Sequence, residues 1–264
     1  MDREKFQTTC QAIKTKKNTL VRGLQPVIEA LNSGKQLDRI YLQNNARGST
    51  VEEIVKLASM HRVPINYVPV PKLDSFNIPN HEGCIGLLSK VKYYELQEVI
   101  SFLVEKGETP LFLMLDGITD VRNIGGIART AYSTGVHALI IPDKGVGALN
   151  EDAILTSAGA LEKITVCRVN SLMKAVDELH LNGFTVFASE MKADKTLHDC
   201  DFTGPSVIIM GSEEKGIYPA LMKISDQAFK IPMANDFESL NVSVATGVIL
   251  YEAMHQRLVN AGKS

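Results

Sequence analysis

The chain has 264 residues, 45% hydrophobic and 22% charged, which is the composition of an ordered globular protein and excludes a disordered one. No apolar run is long enough to cross a bilayer, and Met1-Asp2-Arg3-Glu4-Lys5 lacks a signal-peptide core, so a cytoplasmic location without membrane partners is expected. The net charge of -2 names no partner, but residues 1–47 hold nine Lys/Arg against four Asp/Glu, a balance of +5 that leaves -7 for the remainder and could meet RNA phosphates.

In chain order, residues 1–16 lack strong periodicity and are expected to form a flexible arm or a short helix. The spacing of Leu24, Val27, Ile28 and Leu31 predicts a helix that Gly34 stops. Arg39 to Leu42 reads as a strand. Ser49-Thr50-Val51-Glu52 has the form of a capping box, with Ser49 as N-cap and Glu52 at N3, opening a helix with Val51, Ile54, Val55 and Ala58 on one face. Short strands are expected from Pro64 to Val68 and from Ile85 to Leu88. Residues 1–90 therefore read as a small α/β domain, and the charged segment 91–109, with Gly107, as a helical linker.

Beyond the linker, strands are expected at 111–115, 138–141, 164–168, 184–188, 206–210 and 228–231. Helical patterns lie between them at 125–135, 151–157, 171–182 and 218–223, with a terminal helix at about 242–259. The strands are near-continuous apolar runs, as in a parallel sheet covered on both faces, so residues 110–264 form a second α/β domain.

Three segments of this domain carry polar residues directly after a strand. The first is Asn123-Ile124-Gly125-Gly126-Ile127-Ala128-Arg129, behind the turn Asp116-Gly117-Ile118-Thr119-Asp120. With a helix starting near Gly125, Asn123 would lie in the leading loop and Arg129 one turn inside, both facing one cavity, while the glycine pair would admit a phosphate at the helix N-terminus. The second is Gly211-Ser212-Glu213-Glu214-Lys215-Gly216, in which Glu213 beside Lys215 is by spacing alone an ordinary solvated pair. The third runs from Ile231-Pro232-Met233 to Ser239-Leu240-Asn241-Val242-Ser243-Val244-Ala245, where Ser239 fits an N-cap and Asn241 sits in the first turn, a place that favours function over helix propensity.

In order and spacing these segments resemble the motifs of the SpoU/TrmH family of RNA ribose 2'-O-methyltransferases, and the similarity spans roughly residues 20–258. The resemblance implies a parallel-sheet methyltransferase domain of the SPOUT type with a deep trefoil knot. Ahead of it stands a ribosomal-protein-like RNA-binding domain, whose typical opening and later loop match Gly23 to Leu31 and His81-Glu82-Gly83. It implies S-adenosyl-L-methionine as cofactor, Arg129 as the catalytic arginine with Asn123 beside it, and Glu213 as the family's glutamate. Gly211 and the backbone at Ile231 and Leu240 would hold the cofactor, with Ser239 and Asn241 in the reaction site. Arg129 is either the general base or the phosphate anchor; a guanidinium with a pKa above about 12 makes the second less costly. Asn235 stands where the family commonly has glycine.

The expected activity is methyl transfer to a ribose 2'-hydroxyl, most directly of a guanosine in large-subunit (23S) ribosomal RNA. The alternatives are a tRNA ribose methyltransferase and an RNA-binding module without catalysis. Family members pair through the knotted domain, so a homodimer is expected, with Val248, Ile249 and Met254 of the terminal helix offering a surface. Arg22, Lys35, Arg39, Arg47 and His81 are the front-domain candidates for RNA contact, and Tyr93 and Tyr94 are expected in interdomain packing, with base stacking as the alternative. No metal is expected: Cys10, Cys84, Cys167 and Cys200 form no C-x-x-C pair, and the six histidines show no ligand spacing.

Overall fold

A computed structural model of the protein describes residues 20–147, 149–235 and 239–262; the arm expected over 1–16 lies outside them. The chain divides into two compact units between Lys90 and Val91. No helix among the described residues is long and apolar enough to cross a membrane.

The front unit alternates β1 (Leu20–Arg22), α1 (Leu24–Asn32), β2 (Leu37–Gln43), α2 (Ser49–Met60), β3 (Ile65–Val68), α3 (Val70–Asp74) and β4 (Cys84–Leu88). Its sheet has the order β1-β4-β2-β3, with β4 antiparallel to both neighbours and β2 parallel to β3. Helical periodicity in α1 and α2 turns Val27, Ile28, Leu31 and Ile54 onto Ile40 and Leu42 of β2, which form one core. The capping box expected at Ser49 does not form. Gly48 is the N-cap of α2, Ser49 is already helical, and no side chain caps the turn.

The second unit begins earlier than the sequence suggested. Residues 91–109, read as a linker, are folded into it: β5 (Tyr93–Tyr94) pairs with β8 (Thr165–Val169), and α4 (Leu96–Glu105) buries Leu96, Val99, Ile100 and Leu103. Tyr93 lies against the guanidinium of Arg168, 3.5 Å from ring centroid to Cζ, within this unit. The other elements are β6 (Leu111–Leu115), α5 (Val121–Ser133), β7 (Ala138–Pro142), α6 (Glu151–Thr156), α7 (Leu172–Leu181), β9 (Thr185–Ser189), β10 (Lys195–Thr196), β11 (Ser206–Met210), α8 (Pro219–Lys223), β12 (Gln227–Lys230) and α9 (Val242–Asn260).

The eight strands lie in the order β10-β12-β9-β11-β6-β7-β8-β5, and every pairing is parallel. Side chains alternate across the pleat. Leu111, Leu113, Leu115, Ile208 and Met210 therefore meet α5 and α9 on one face, while Phe112, Met114, Val207 and Ile209 meet α4 and α7 on the other. Covering both faces is what makes these strands continuous apolar runs.

The end of α9 is tied down by Arg257. Its Nε donates to Phe202 O at 2.9 Å, Nη1 to Thr109 O at 2.6 Å, and Nη2 to Gly204 O at 2.7 Å and Pro110 O at 3.1 Å. These carbonyls precede β6 and β11, so the C-terminus of the last helix is anchored at the N-terminal ends of the central strands, opposite to its own N-terminus.

Candidate active site

Strand order reverses around β6, with β7 and β8 on one side and β11, β9 and β12 on the other. Open parallel sheets bind ligands at the C-terminal strand ends beside such a reversal. A cavity of about 610 Å³ lies there, between the loop after β6 and the loop after β11, with Asn123, Glu213 and Val242 in its wall. A second cavity of about 320 Å³ adjoins it, sharing Asp116, Gly117, Gly145 and Tyr218.

Asp120 starts the first motif's helix. Its Oδ1 accepts from Arg122 N at 2.8 Å and its Oδ2 from Arg122 Nη2 at 2.9 Å, and these bonds hold its carboxyl below the usual carboxylate range. The cap opens α5 at Val121 rather than near Gly125, so Asn123 stands in the first helical turn and not in the loop ahead of it. Gly125 does not cradle an anion either. It is buried against α6, where an added Cβ would lie 2.6 Å from Thr156 Cβ and 2.9 Å from Ala153 O.

The second motif is a closed loop. Ser212 N donates to Gly216 O at 3.2 Å and Gly216 N to Ser212 O at 2.9 Å. A Cβ on Gly211 would lie 2.2 Å from Gly216 C, so the loop's own backbone demands glycine at the end of β11. Among the described contacts Glu213 is bonded across the site and not to its chain neighbour Lys215. Its Oε1 accepts from Asn241 Nδ2 at 2.6 Å, from Val242 N at 3.1 Å and from Asn123 Nδ2 at 3.4 Å.

The third motif supplies the cap of the last helix, and the cap is Asn241, not Ser239. Asn241 Oδ1 accepts from Ser243 N at 3.0 Å and Ser243 Oγ at 2.6 Å, while Nδ2 donates to Glu213 and, at 3.1 Å, to Asn123 Oδ1. Three segments far apart in sequence thus converge on one carboxylate, which also sits at the positive end of a 19-residue helix. The sequence signal missed was Asp120: an Asp three residues ahead of Asn123 is an N-cap pattern that fixes the phase of the whole turn.

Arg129 lies outside this network. Six residues at about 100° each put it roughly 120° around α5 from Asn123, and it is exposed, with no hydrogen-bond or ion-pair partner for its guanidinium among the described residues. Gly211, Ile231, Ser239 and Leu240 are not among the described residues lining either cavity. Ile231 is partly buried against the core, Leu240 is partly buried, and Ser239 is exposed. The larger cavity is acidic: Asp116, Asp120, Glu213 and Glu214 line it against Lys215.

In the front unit, Arg22 ends β1 and Arg47 follows β2; both are exposed. The two strands run the same way beside β4, which puts both arginines at one end of that sheet. Lys35, before β2, lies toward the other end. Arg39 is half-buried with Nε on Asp38 Oδ2 at 2.8 Å, so its charge is already paired. His81 is a loop staple rather than an open contact: its Nδ1 accepts from Gly83 N at 3.1 Å, which leaves Nε2 to donate to Asp74 Oδ1 at 3.0 Å.

A family model described as the SpoU rRNA methylase family matches residues 110–251, and one described as RNA 2'-O ribose methyltransferase substrate binding matches residues 20–94. The chain belongs to the SpoU rRNA methylase family. This SpoU chain is 33% identical over 237 residues to a putative TrmH family tRNA/rRNA methyltransferase of Bacillus subtilis, covering 90% of this chain and 95% of that one. It is 34% identical to a 23S rRNA (guanosine-2'-O-)-methyltransferase of Pseudomonas aeruginosa, over 87% of this chain and 94% of the relative. Among solved structures, the TrmH/SpoU tRNA modifying enzyme of A. aeolicus aligns at 29% identity and TM-score 0.51, covering 63% of this chain and 86% of its own. The SpoU methyltransferase AviRb of Streptomyces viridochromogenes, in complex with the cofactor AdoMet, shows the same fold at TM-score 0.58 and 24% identity, over 91% of this chain and 90% of its own.

Proposed function

We propose that this chain transfers a methyl group from S-adenosyl-L-methionine to a ribose 2'-hydroxyl of RNA, and that the substrate is a guanosine of large-subunit ribosomal RNA. The observation that carries the reading is the Asn123–Glu213–Asn241 network, which joins the three motif segments at the mouth of the sheet's switch-point cavity. The choice of ribosomal RNA is supported by the Pseudomonas aeruginosa relative, which aligns through both units, whereas the tRNA modifying enzyme aligns with only 63% of the chain.

The residues present fit the cofactor. A cavity lined by four carboxylates and one lysine suits a cationic ligand and disfavours a bare phosphate. When bound, the sulfonium donor supplies a methyl group on a good leaving group, so no metal is required. The family resemblance assigns the backbone at Gly211, Ile231 and Leu240 to holding it, and Ser239 and Asn241 to the reaction site. Gly211, Ile231, Leu240 and Ser239 line neither cavity among the described residues, so the support for the fit is the carboxylate-lined wall.

The chain's own task is to align the acceptor and take its proton. A guanidinium is a poor base, and we assign Arg129 the phosphate grip. Glu213 has one carboxylate oxygen saturated by donors, which leaves Oε2 to accept the hydroxyl proton as the oxygen bonds to the methyl carbon. The knotted threading and pairing of two copies belong to the same proposal. Val244, Val248 and Tyr251 are exposed on one face of α9 at helical spacing, whereas Ile249, expected on that surface, is wholly buried in the core.

Glu213→Gln tests the assignment, since Gln still accepts at Oε1 but is no base. Methyl incorporation into ribosomal RNA should fall by about 10²–10⁴-fold with the fold intact. Wild-type rates in that variant would remove Glu213 from the chemistry.

A further inference from the structure

The side-chain amide of Asn241 has two chemically opposite ends, and only one orientation serves the site. As it stands, Oδ1 meets two donors on Ser243 and Nδ2 meets two acceptors, Glu213 Oε1 and Asn123 Oδ1. Reversed, the amide would set oxygen against a carboxylate and N–H against N–H. Capping α9 requires only the backbone N–H of Ser243. The hydroxyl is an addition, and at 2.6 Å it makes one of the two shortest bonds of the cluster.

Ser243 is also confined from the other side. A Cβ placed on Gly126 would lie 3.3 Å from Ser243 Cβ and 3.5 Å from its Oγ, so the serine is seated against α5 where that helix lacks a side chain. Gly126 is three residues after Asn123 and three before Arg129, which places it between them on the helix surface. One turn further along, Thr130 Cγ2 would come within 3.8 Å of a Cβ on Gly247, the same close approach of α5 and α9. Ser243 is thus wedged between the helix carrying Asn123 and Arg129 and the amide that holds Glu213.

We propose that Ser243 is a positioning residue for methyl transfer: its hydroxyl, held against Gly126, fixes the Asn241 amide so that Glu213 and Asn123 are kept in register. The proposal rests on the activity given under Proposed function. It acts through Asn241 and Glu213, without contact of Ser243 with substrate.

The test compares Ser243→Ala and Ser243→Thr in the full-length protein. Ser243→Ala keeps the Cβ contact with Gly126 and loses the hydroxyl, so kcat should fall about 10-fold, the worth of one hydrogen bond, with KM for methyl donor and RNA within about 2-fold. Ser243→Thr, which retains the hydroxyl, should restore kcat toward the wild-type value. In a Glu213→Gln background the Ser243→Ala step should change kcat by less than about 2-fold, because the side chain it positions is no longer a base. Independently of activity, the Asn241 side-chain amide resonances should shift in Ser243→Ala and not in Ser243→Thr. Unchanged resonances, or a kcat loss of equal size in both backgrounds, would overturn the proposal. Wild-type protein that transfers no methyl group while its Asn241 resonances respond as described would overturn the enzymatic reading and leave the positioning role standing.

Discussion

Glu213 is exposed, yet donors from two other segments converge on one of its oxygens, which holds the carboxylate in place and leaves Oε2 as the oxygen to which we assign the proton. Arg129 is the complementary case, a cation held ready on a rigid helix without a partner among the described residues. Replacing it with Ala should lower methyl transfer by about 10²–10³-fold and leave donor affinity nearly unchanged, because the donor cradle is assigned to backbone. Arg129→Lys keeps the charge but not the two-pronged grip, and about a 10-fold loss or more is expected. Steady-state kinetics with RNA in excess reads both; full activity of the Lys variant would contradict the anchoring role. Gly211 shows the limit of assigning a glycine to a ligand, since Gly216 already excludes any side chain there.

At the scale of elements, the second unit was legible wherever a strand was buried on both faces, because continuous apolar runs such as Leu111–Leu115 and Ser206–Met210 admit little else. What escaped the sequence were the short and edge elements. β5 and β10 each have two residues and no period to detect. The cap residues differ from the patterns: Ser49 and Ser239 match capping sequences, but the caps fall to Gly48 and Asn241, while the last helix begins at Val242 as its periodicity predicts. In the site, the three motif segments were legible by pattern, while their convergence was legible only through the family resemblance, since hydrogen bonds over 90 to 118 residues leave no local trace. The misplaced linker has a measurable consequence. A fragment starting at residue 110 lacks β5 and α4 and forfeits burial of Leu96, Val99, Ile100 and Leu103, on the order of 6 kcal/mol or more. A fragment of residues 91–264 should therefore unfold cooperatively at a higher temperature than one of 110–264, which should aggregate; equal thermal midpoints would show that α4 adds nothing.

For the whole molecule, we assign RNA reading to the front unit, the chemistry to the second unit, and the pairing of two copies to α9. Sedimentation at micromolar concentration should give twice the 28.9 kDa chain mass, and Tyr251→Glu should shift the species toward monomer. A wild-type monomer would remove the paired arrangement. The central claim is the reaction itself. Its most direct measurement is to incubate the protein with isotopically labelled S-adenosyl-L-methionine and large-subunit ribosomal RNA lacking the modification, then digest the RNA to nucleosides and identify the labelled product by mass spectrometry. The account predicts label in 2'-O-methylguanosine, reduced by Glu213→Gln and Arg129→Ala. Label on a base, or none on RNA from a folded protein that binds the donor, would contradict it.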